Sequence, residues 1–279
     1  MSVLKKLLSV DRRIIFLFIA ASIVIPALVP APMPIKATEV VKRIYDRVES
    51  LPAGSVVLIS NDYEPGSKAE LYPMTVALLR HCFRKGHRVL MMSLWPGGVG
   101  MGRQALEITG KEYGKKEGDD YVLLGYKPGG FAVIVSMGQD ILSAFPKDSL
   151  ENSTRSLPFF RETKVKTLRD IDLMVSISAG TPGIDQWVVY GRDQYRFDMA
   201  GGCTGVMAPD FYPYLDTGQL VGLMGAVKGA ADYEALLGRK GDASIMMLPQ
   251  SCAHLVIIAF VILGNIAFLA ERLSRRRKR

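Results

Sequence analysis

Apolar residues are concentrated in two long segments, one near each end of the chain. Residues 14–35 and 243–270 contain no formally charged side chain. A helix rises about 1.5 Å per residue, so roughly 20 residues cross a hydrocarbon core about 30 Å thick. We therefore predict two transmembrane helices that enclose one domain and leave two basic tails. The predicted segments are a tail at 1–13, a helix at 14–32, a domain at 33–242, a helix at 250–270 and a tail at 271–279.

The first apolar segment also fits a secretory signal peptide, which has a basic start, an apolar centre and small residues at its cleavage site. Here Pro26, Pro30, Pro32 and Pro34 crowd the place where that site must lie. This favours a retained helix that ends among these prolines and continues as an extended connector. For the second segment the alternative is a buried core helix, but the basic run that follows favours a membrane span.

Between the two segments, short β-branched apolar runs alternate with helix-like stretches. The runs at 56–60, 88–94, 121–126 and 173–178 are typical of strands buried on both faces of a parallel sheet. Strands that alternate with helices in this way predict an α/β fold. The expected architecture is a single doubly wound, mostly parallel, Rossmann-like sheet domain between the two transmembrane helices.

Several helix predictions depend on local detail. Proline is tolerated in the first turn of a helix but not in its interior, so we expect the helix after the first strand to begin near Pro73. His81 falls off the apolar stripe of that helix and is predicted to be exposed to solvent. Residues 131–145 begin like a strand, but their length and the preceding glycines favour a helix. Residues 187–197 are also predicted to be helical.

Glycines cluster in loops that follow the predicted strands. In an open parallel sheet, ligands bind outside the carboxyl ends of the strands, where helix N-termini present unpaired N–H groups. The glycines at 98, 100 and 102 give G-x-G-x-G rather than the dinucleotide pattern G-x-G-x-x-G, and no Walker lysine follows. Tight strand-to-helix turns also explain these glycines. The candidate ligand cleft consists of Asn61, Asp62, Glu64, Gly97, Gly98, Gly100, Gly102, Thr181 and Gly183.

A second group of glycines lies in residues 218–237, which we predict to form a mostly uncharged helix. Glycines four residues apart leave a small-residue face on which another helix can approach closely. This face is a candidate subunit interface, with packing against the domain's own sheet and contact with the membrane surface as alternatives. The interface candidates are Gly218, Gly222, Gly225 and Gly229.

The chain has 35 Lys and Arg against 27 Asp and Glu, a formal net charge of +8 at pH 7. Ten of the bases and two of the acids lie at the two ends, so residues 36–242 are neutral. A neutral domain has no excess positive charge for phosphates, which argues against nucleic acid as a partner. Ten bases flank the outer ends of the apolar segments and six flank the inner ends. The positive-inside rule therefore predicts that both termini are cytoplasmic and that the central domain is extracytoplasmic.

Catalytic and metal-binding patterns are sparse. Three histidines are too few for a multi-histidine zinc centre. Asp62 and Glu64, with Asp140 or Asp185, could hold a divalent cation, but an acidic loop facing solvent explains the same residues without a metal. The sequence thus identifies no metal site and no cofactor.

The cysteines allow two interpretations. Cys82 and Cys203 could form a disulfide if the domain is exported, but a buried, unpaired Cys82 on a helix is the simpler interpretation. Cys203 lies between Gly202 and Thr204, where it is a conceivable thiol nucleophile, although such a turn more often packs tightly.

Together these patterns predict a membrane-anchored α/β binding or scaffolding subunit. Its expected partners are the lipid bilayer and either further copies of itself, as a homo-oligomer, or other subunits of a membrane complex. The alternative is a membrane-anchored hydrolase or transferase that holds an anionic substrate in its glycine-rich strand-end loops. In that case Asp62 or Glu64 would act as acid, base or metal ligand.

Overall fold

The computed structural model describes residues 11–29 and 34–276. The chain forms two compact units: a terminal unit, made of Met1–Pro34 and Ile245–Arg279, and an α/β unit, Ile35–Ser244. The outer parts of the predicted basic tails, at 1–10 and 277–279, lie outside the described residues. So do the prolines of the predicted connector at positions 30 and 32.

The terminal unit contains helix α1 (Arg12–Leu28) and most of helix α12 (Asp242–Arg276). The Phe18 ring of α1 contacts the Phe260 ring of α12, with 5.9 Å between the ring centroids. In the described part of the chain one helix, Asp242–Leu273, is long and apolar enough to cross a membrane. The described residues thus give one candidate span in place of the two predicted, and α1, with 17 residues, lies at the lower limit of the length that crosses a membrane.

The α/β unit is built around a six-stranded sheet. Its strands are β1 (Val56–Asp62), β2 (Arg88–Ser93), β3 (Tyr121–Tyr126), β4 (Leu173–Ser178), β5 (Asp198–Cys203) and β6 (Leu223–Gly225). Its helices are α2 (Glu39–Ser50), α3 (Lys68–Arg84), α4 (Pro96–Tyr113), α5 (Phe131–Gln139), α6 (Ile141–Ala144), α7 (Pro158–Thr163), α8 (Ile184–Gln186), α9 (Asp193–Tyr195), α10 (Ala208–Asp216) and α11 (Ala226–Leu236). A π-helical turn, Trp187–Arg192, joins α8 to α9.

Neighbouring strands are parallel throughout the sheet, in the order β3-β2-β1-β4-β5-β6. This is the strand order of the Rossmann fold. The chain runs outward from β1 to β3, returns to β4 beside β1, and runs outward again to β6. The predicted α/β parallel sheet is therefore confirmed, and β5 and β6, which the apolar pattern did not assign, complete it. The helix predicted at 131–145 is confirmed as α5 and α6.

Helices bury both faces of the sheet. Every residue of β1 is buried. On one face α2, α3, α4 and α11 pack against the sheet and one another. On the other face a core cluster joins Leu58, Met92 and Met174 of the strands to Ile134 and Trp187 of the helical layer. Strands buried on both faces are normally apolar throughout, so the polar residues inside β1 and β4 are exceptions.

Helix α4 begins earlier than the sequence pattern predicts. The glycine-rich run that we expected to be a loop forms its first turns, starting at Pro96. A side-chain carbon at Gly98 would lie 1.8 Å from Asn61 O, and one at Gly102 would lie 2.6 Å from Met91 Sδ. Glycine is required at position 98, where the helix lies against the backbone of β1, and is favoured at position 102, where it faces the Met91 side chain of β2.

Two predictions about α3 are wrong. The helix begins at Lys68 and contains Pro73 in its interior. The lost backbone hydrogen bond is offset by the burial of side chains such as Leu71 and Met74, which are 0% exposed. His81 is fully buried rather than solvated, because α2 and α11 supply partners for both of its ring nitrogens.

The predicted glycine-rich helix at 218–237 is also wrong. Leu223–Gly225 form β6, and α11 begins only at Ala226. The four candidate interface glycines therefore do not share a helix face. Gly222 precedes β6, where a side-chain carbon would lie 2.3 Å from Val40 O. Close packing within the unit explains this glycine.

Candidate functional site at the strand-order switch point

The sheet reverses its strand order between β1 and β4. Because the chain leaves these neighbouring strands in opposite directions, the loops after them separate and form a crevice at the carboxyl edge. Open α/β sheets bind ligands at this position. We call it the switch-point crevice. It is bordered by residues 63–67 after β1 and residues 179–183 after β4.

Four polar side chains occupy one face of β1 and β4 at this edge. Ser60 pairs with Ser176 in the strand register, and Asp62 pairs with Ser178. All four residues are 0% exposed. Paired residues of adjacent strands project to the same face, so these side chains form one row, which we call the polar strip.

Asp62 is the ionisable member of the polar strip. Its Oδ2 accepts a hydrogen bond from Ser60 Oγ at 2.6 Å, and its Oδ1 accepts one from the Leu94 N–H at 2.6 Å. Burial raises the pKa of Asp62 to about 7, although both hydrogen bonds favour the charged form. The carboxyl is therefore partly protonated near neutral pH.

Some buried polar atoms at this edge have no hydrogen-bond partner among the described residues, and we call them unpaired. Ser176 Oγ and Trp187 Nε1 are two of these unpaired atoms, in residues that are fully buried. The Trp187 indole N–H lies close enough to the Asp62 carboxyl to lower its pKa as a weak donor, although the two groups do not reach ordinary hydrogen-bond geometry. An unpaired buried group costs about 1–3 kcal/mol. Such atoms therefore mark a place where a bound molecule can complete the pairing.

The segment that covers the polar strip is irregular. After α8 the chain makes a π-helical turn instead of continuing as an α-helix, and such turns are frequent at functional sites. Asp185 Oδ1 and Gln186 Oε1 are also unpaired. The other carboxylate oxygen of Asp185 accepts a hydrogen bond from Thr181 Oγ1 at 3.0 Å. Three consecutive residues, 185–187, thus each carry an unpaired atom.

The indole of Trp95 crosses the mouth of the crevice. Trp95 follows β2, and its Nε1 donates a hydrogen bond to Pro182 O, after β4, at 2.8 Å. The ring would lie 3.1 Å from a side-chain carbon at Gly180. Because β1 lies between β2 and β4, the indole spans the end of β1 at the mouth of the crevice. Trp95 and Trp187 are the two tryptophans of the chain.

Asn61 faces the opposite side of the sheet from Asp62. Its Nδ2 donates to Gly98 O at 3.0 Å, and its Oδ1 accepts from Thr75 Oγ1 at 2.8 Å. These bonds attach α3 and α4 to the end of β1, which is a structural role.

The other cleft candidates lie at the same edge but do not converge on one point. Glu64, Gly100 and Thr181 are exposed. A side-chain carbon at Gly97 would lie 3.2 Å from Glu64 Cγ, and one at Gly183 would lie 2.3 Å from Gly180 O. The structure therefore brings Asp62 and the loop after β4 together and leaves Glu64 in solvent.

The predicted alternatives for metal and thiol chemistry find little support. Within residues 11–29 and 34–276, no three potential metal ligands come together. Asp140 instead caps α6, where it accepts hydrogen bonds from two backbone N–H groups. Cys82 and Cys203 do not pair, and burial raises the pKa of each thiol to about 12. A thiol with this pKa supplies almost no thiolate at neutral pH.

A separate cavity of about 230 Å³ opens beside β6. Gly225 and Gly229, two of the predicted interface residues, line it. Asp232 at this cavity accepts hydrogen bonds from the N–H and Oγ1 of Thr38, both at 3.0 Å, and pairs with Lys228. These polar groups already satisfy one another, in contrast to those of the switch-point crevice.

Sequence reasoning missed Ser60, Ser176, Trp95 and Trp187 as site residues. A usable signal was present, because two otherwise apolar strands end in buried polar residues: Ser60, Asn61 and Asp62 in β1, and Ser176 and Ser178 in β4. The tryptophans carry no comparable local pattern.

The fold and the site together define a Rossmann-like α/β protein with a buried polar site at its switch point. No protein-family model, curated protein or solved structure matches this chain.

Proposed function

We propose that this protein is a membrane-anchored α/β binding subunit that takes its ligand at the switch-point crevice. The observation that carries this proposal is the presence of unpaired buried atoms at the polar strip: Ser176 Oγ within the strip and Trp187 Nε1 next to the Asp62 carboxyl. Leaving such groups unpaired lowers the stability of the fold, so a ligand that pairs them is favoured. The crevice also lies where sheets with this strand order bind ligands.

Intrinsic fluorescence tests this proposal without labelling, because both tryptophans of the chain lie at the crevice. Full-length protein in lipid nanodiscs is titrated with a panel of small molecules that differ in charge. We expect at least one of them to change the emission saturably, and Asp62→Asn to change its apparent Kd. Emission that stays constant across the panel, in the wild type and in Trp95→Ala, would contradict the proposal.

The proposed anchor is α12, with α1 alongside it through the contact of Phe18 with Phe260. The distribution of Lys and Arg then favours two spans, both termini in the cytoplasm and the α/β unit outside. Protease added to intact cells should cleave the α/β unit and spare the termini. An α/β unit that is protected until the cells are lysed would contradict this topology.

A buried carboxylate supports the start of the anchor. Glu234 of α11 accepts hydrogen bonds from the N–H groups of Gly241 at 3.0 Å and Ser244 at 2.8 Å. An acidic group at this position satisfies backbone donors in the first turn of α12 and interacts favourably with the helix dipole.

We further propose that the subunit works as a homo-oligomer or together with other subunits of a membrane complex. The large apolar side chains of α12, such as Leu255, Ile262 and Leu269, are exposed along its length. These surfaces are available to lipid or to other spans. The mass of the particle in nanodiscs tests this, since a single chain under all conditions would contradict the homo-oligomer.

The raised pKa of Asp62 favours a second candidate, an anchored hydrolase or transferase. A carboxyl with a pKa of about 7 suits general acid or base catalysis at neutral pH. Under this alternative Asp62→Asn abolishes turnover but retains binding, whereas the binding subunit shows no turnover of the ligand that it binds.

A further inference from the structure

We infer that the ligand of the switch-point crevice is an uncharged, hydroxyl-rich small molecule, a polyol or a sugar, and that the Trp95 indole is the lid that it displaces. This inference rests on the proposed binding function and names the chemistry of its ligand.

The unpaired atoms include both donors and acceptors. Trp187 Nε1 can only donate a hydrogen bond, while Asp185 Oδ1 and Gln186 Oε1 accept. Ser176 Oγ can do either. A hydroxyl group donates one hydrogen bond and accepts others, so a molecule with several hydroxyls matches this mixed set.

Charge argues against an anionic or cationic ligand. The ionisable side chains in the polar strip and in residues 185–187 are two carboxyls, Asp62 and Asp185, and they disfavour an anion. The Asp62 oxygens already accept one hydrogen bond each. Trp187 Nε1 is a donor directed at the same carboxyl, and Asp62, with its raised pKa, carries only part of a negative charge for a cation at neutral pH.

Trp95 is attached in a way that suits a lid. Its backbone is fixed by Ser93 Oγ, which accepts from the Trp95 N–H at 3.0 Å and donates to Trp95 O at 2.6 Å. The polar atom of its ring makes one hydrogen bond, to Pro182 O. Rotation of the side chain therefore opens the crevice without moving α4. It also frees Pro182 O to accept a hydrogen bond from a ligand hydroxyl.

The first experiment compares probes of different charge. Full-length protein in nanodiscs is titrated with myo-inositol, D-glucose, inorganic phosphate and ethanolamine up to the millimolar range, and tryptophan emission is recorded. We expect a saturable change with myo-inositol or D-glucose and none with phosphate or ethanolamine. Ser176→Ala should weaken that binding about tenfold, as expected for one lost hydrogen bond. The matched control is Thr109→Ala, which removes a buried hydroxyl of α4 that donates to Ala105 O and should leave the affinity unchanged.

The second experiment tests the lid. In Trp95→Ala the remaining tryptophan, Trp187, still reports on binding. We expect the uncharged probe to bind more tightly and to associate faster, because the closed form no longer competes with the ligand. Trp95→Phe keeps an aromatic ring but removes the bond to Pro182 O, and it should lie between Trp95→Ala and the wild type. Circular dichroism confirms that each variant is folded. Equal affinity in the wild type, Trp95→Ala and Trp95→Phe would overturn the inference that Trp95 is a lid.

The outcomes separate this inference from the proposed function. A response to phosphate or ethanolamine with none to the uncharged probes would overturn the ligand class and leave the binding function in place. The absence of any response, in the wild type and in folded Trp95→Ala, would overturn both.

Discussion

Two buried polar clusters in the α/β unit are built on opposite principles. The first lies between α2, α3 and α11, and we call it the histidine cluster. His81 Nδ1 lies 2.7 Å from Tyr233 Oη, and its Nε2 lies 3.2 Å from Glu49 Oε1. Arg84 and Lys85 each pair with Glu49 at 2.8 Å. Every polar side chain in this cluster has a partner, so the cluster stabilises the packing of three helices.

The polar strip is the second cluster, and its pairing is incomplete. Ser176 Oγ and Trp187 Nε1 find no partner of ordinary hydrogen-bond geometry within the described residues. Natural proteins depart from full pairing mainly at functional sites, where stability is given up for binding or chemistry. The histidine cluster is thus fully paired, whereas the polar strip leaves groups that a ligand can pair.

The two clusters also respond to pH in opposite directions. Burial lowers the pKa of His81 from 6.5 to about 4, and burial raises the pKa of Asp62 from 3.8 to about 7. Between these values the unfolded state binds the additional proton at His81, so His81 makes the fold less stable as pH falls. The folded state binds the additional proton at Asp62, so Asp62 makes the fold less stable as pH rises. The two effects oppose each other over much the same pH range.

Asp62→Asn should have the largest effect on stability. Asparagine keeps the shape of the protonated carboxyl but carries no charge to bury. We expect the free energy of unfolding to exceed that of the wild type by up to about 4 kcal/mol at pH 8 and to match it near pH 4. Urea unfolding of the full-length protein in detergent, followed by tryptophan emission, measures this difference. The control is Asp185→Asn, a partly exposed carboxyl. If Asp62→Asn is no more stable than the wild type at pH 8, hydrogen bonds stabilise the buried Asp62 carboxylate fully. The two clusters would then not respond to pH in opposite directions.

His81→Gln should have the next largest effect, with the opposite dependence on pH. We expect a loss of about 2 kcal/mol at pH 7.5, because the Tyr233 hydroxyl and Glu49 lose well-placed partners. This deficit should shrink towards pH 4, where the wild type has lost up to about 3 kcal/mol through His81 and the variant has not. The same unfolding experiment over this pH range measures it. If the free energies of unfolding of the two proteins change with pH in parallel, His81 is not held in its neutral form by burial.

Removing one hydroxyl from each cluster compares them directly. Tyr233→Phe removes a paired hydroxyl and leaves His81 Nδ1 unpaired, so we expect it to cost about 1–2 kcal/mol. Ser176→Ala removes an unpaired hydroxyl, so stability should stay the same or rise by up to about 1 kcal/mol. Both values come from urea unfolding at one pH. Equal costs would mean that Ser176 is paired in solution and that the polar strip is not a binding site.

The sequence predicts the first four strands of this sheet better than the last two. The strands β1 to β4 are visible because they are continuous apolar runs. β5, with the sequence DMAGGC, has little intrinsic strand propensity. Its Gly201 is favoured by tertiary packing, since a side-chain carbon there would lie 2.8 Å from Ile184 Cδ1. A contact between distant parts of the chain leaves no periodic pattern in the local sequence.

The candidate site is predictable only in part for the same reason. Asp62 is visible as a polar residue at the end of an apolar strand. Ser176 and Trp187 come close to this edge only because the strand order places β4 beside β1. Local patterns do not determine strand order, and so the sequence places Asp62 at the correct edge of the sheet without its neighbours.

Gly100→Ala should have the smallest effect on stability. It also tests whether the ligand lies at the start of α4. Gly100 is exposed within α4, and among the described residues no atom would lie within 4 Å of a side-chain carbon there. Alanine is favoured over glycine inside a helix, so stability should rise by about 0.5–1 kcal/mol. The affinity for the uncharged probe should not change, because the atoms proposed to bind it belong to the polar strip and to residues 185–187. Unfolding and fluorescence titration of the same sample measure both quantities. A weaker affinity at unchanged stability would place the ligand at the start of α4, and unpaired buried atoms would then no longer distinguish the functional cluster from the structural one.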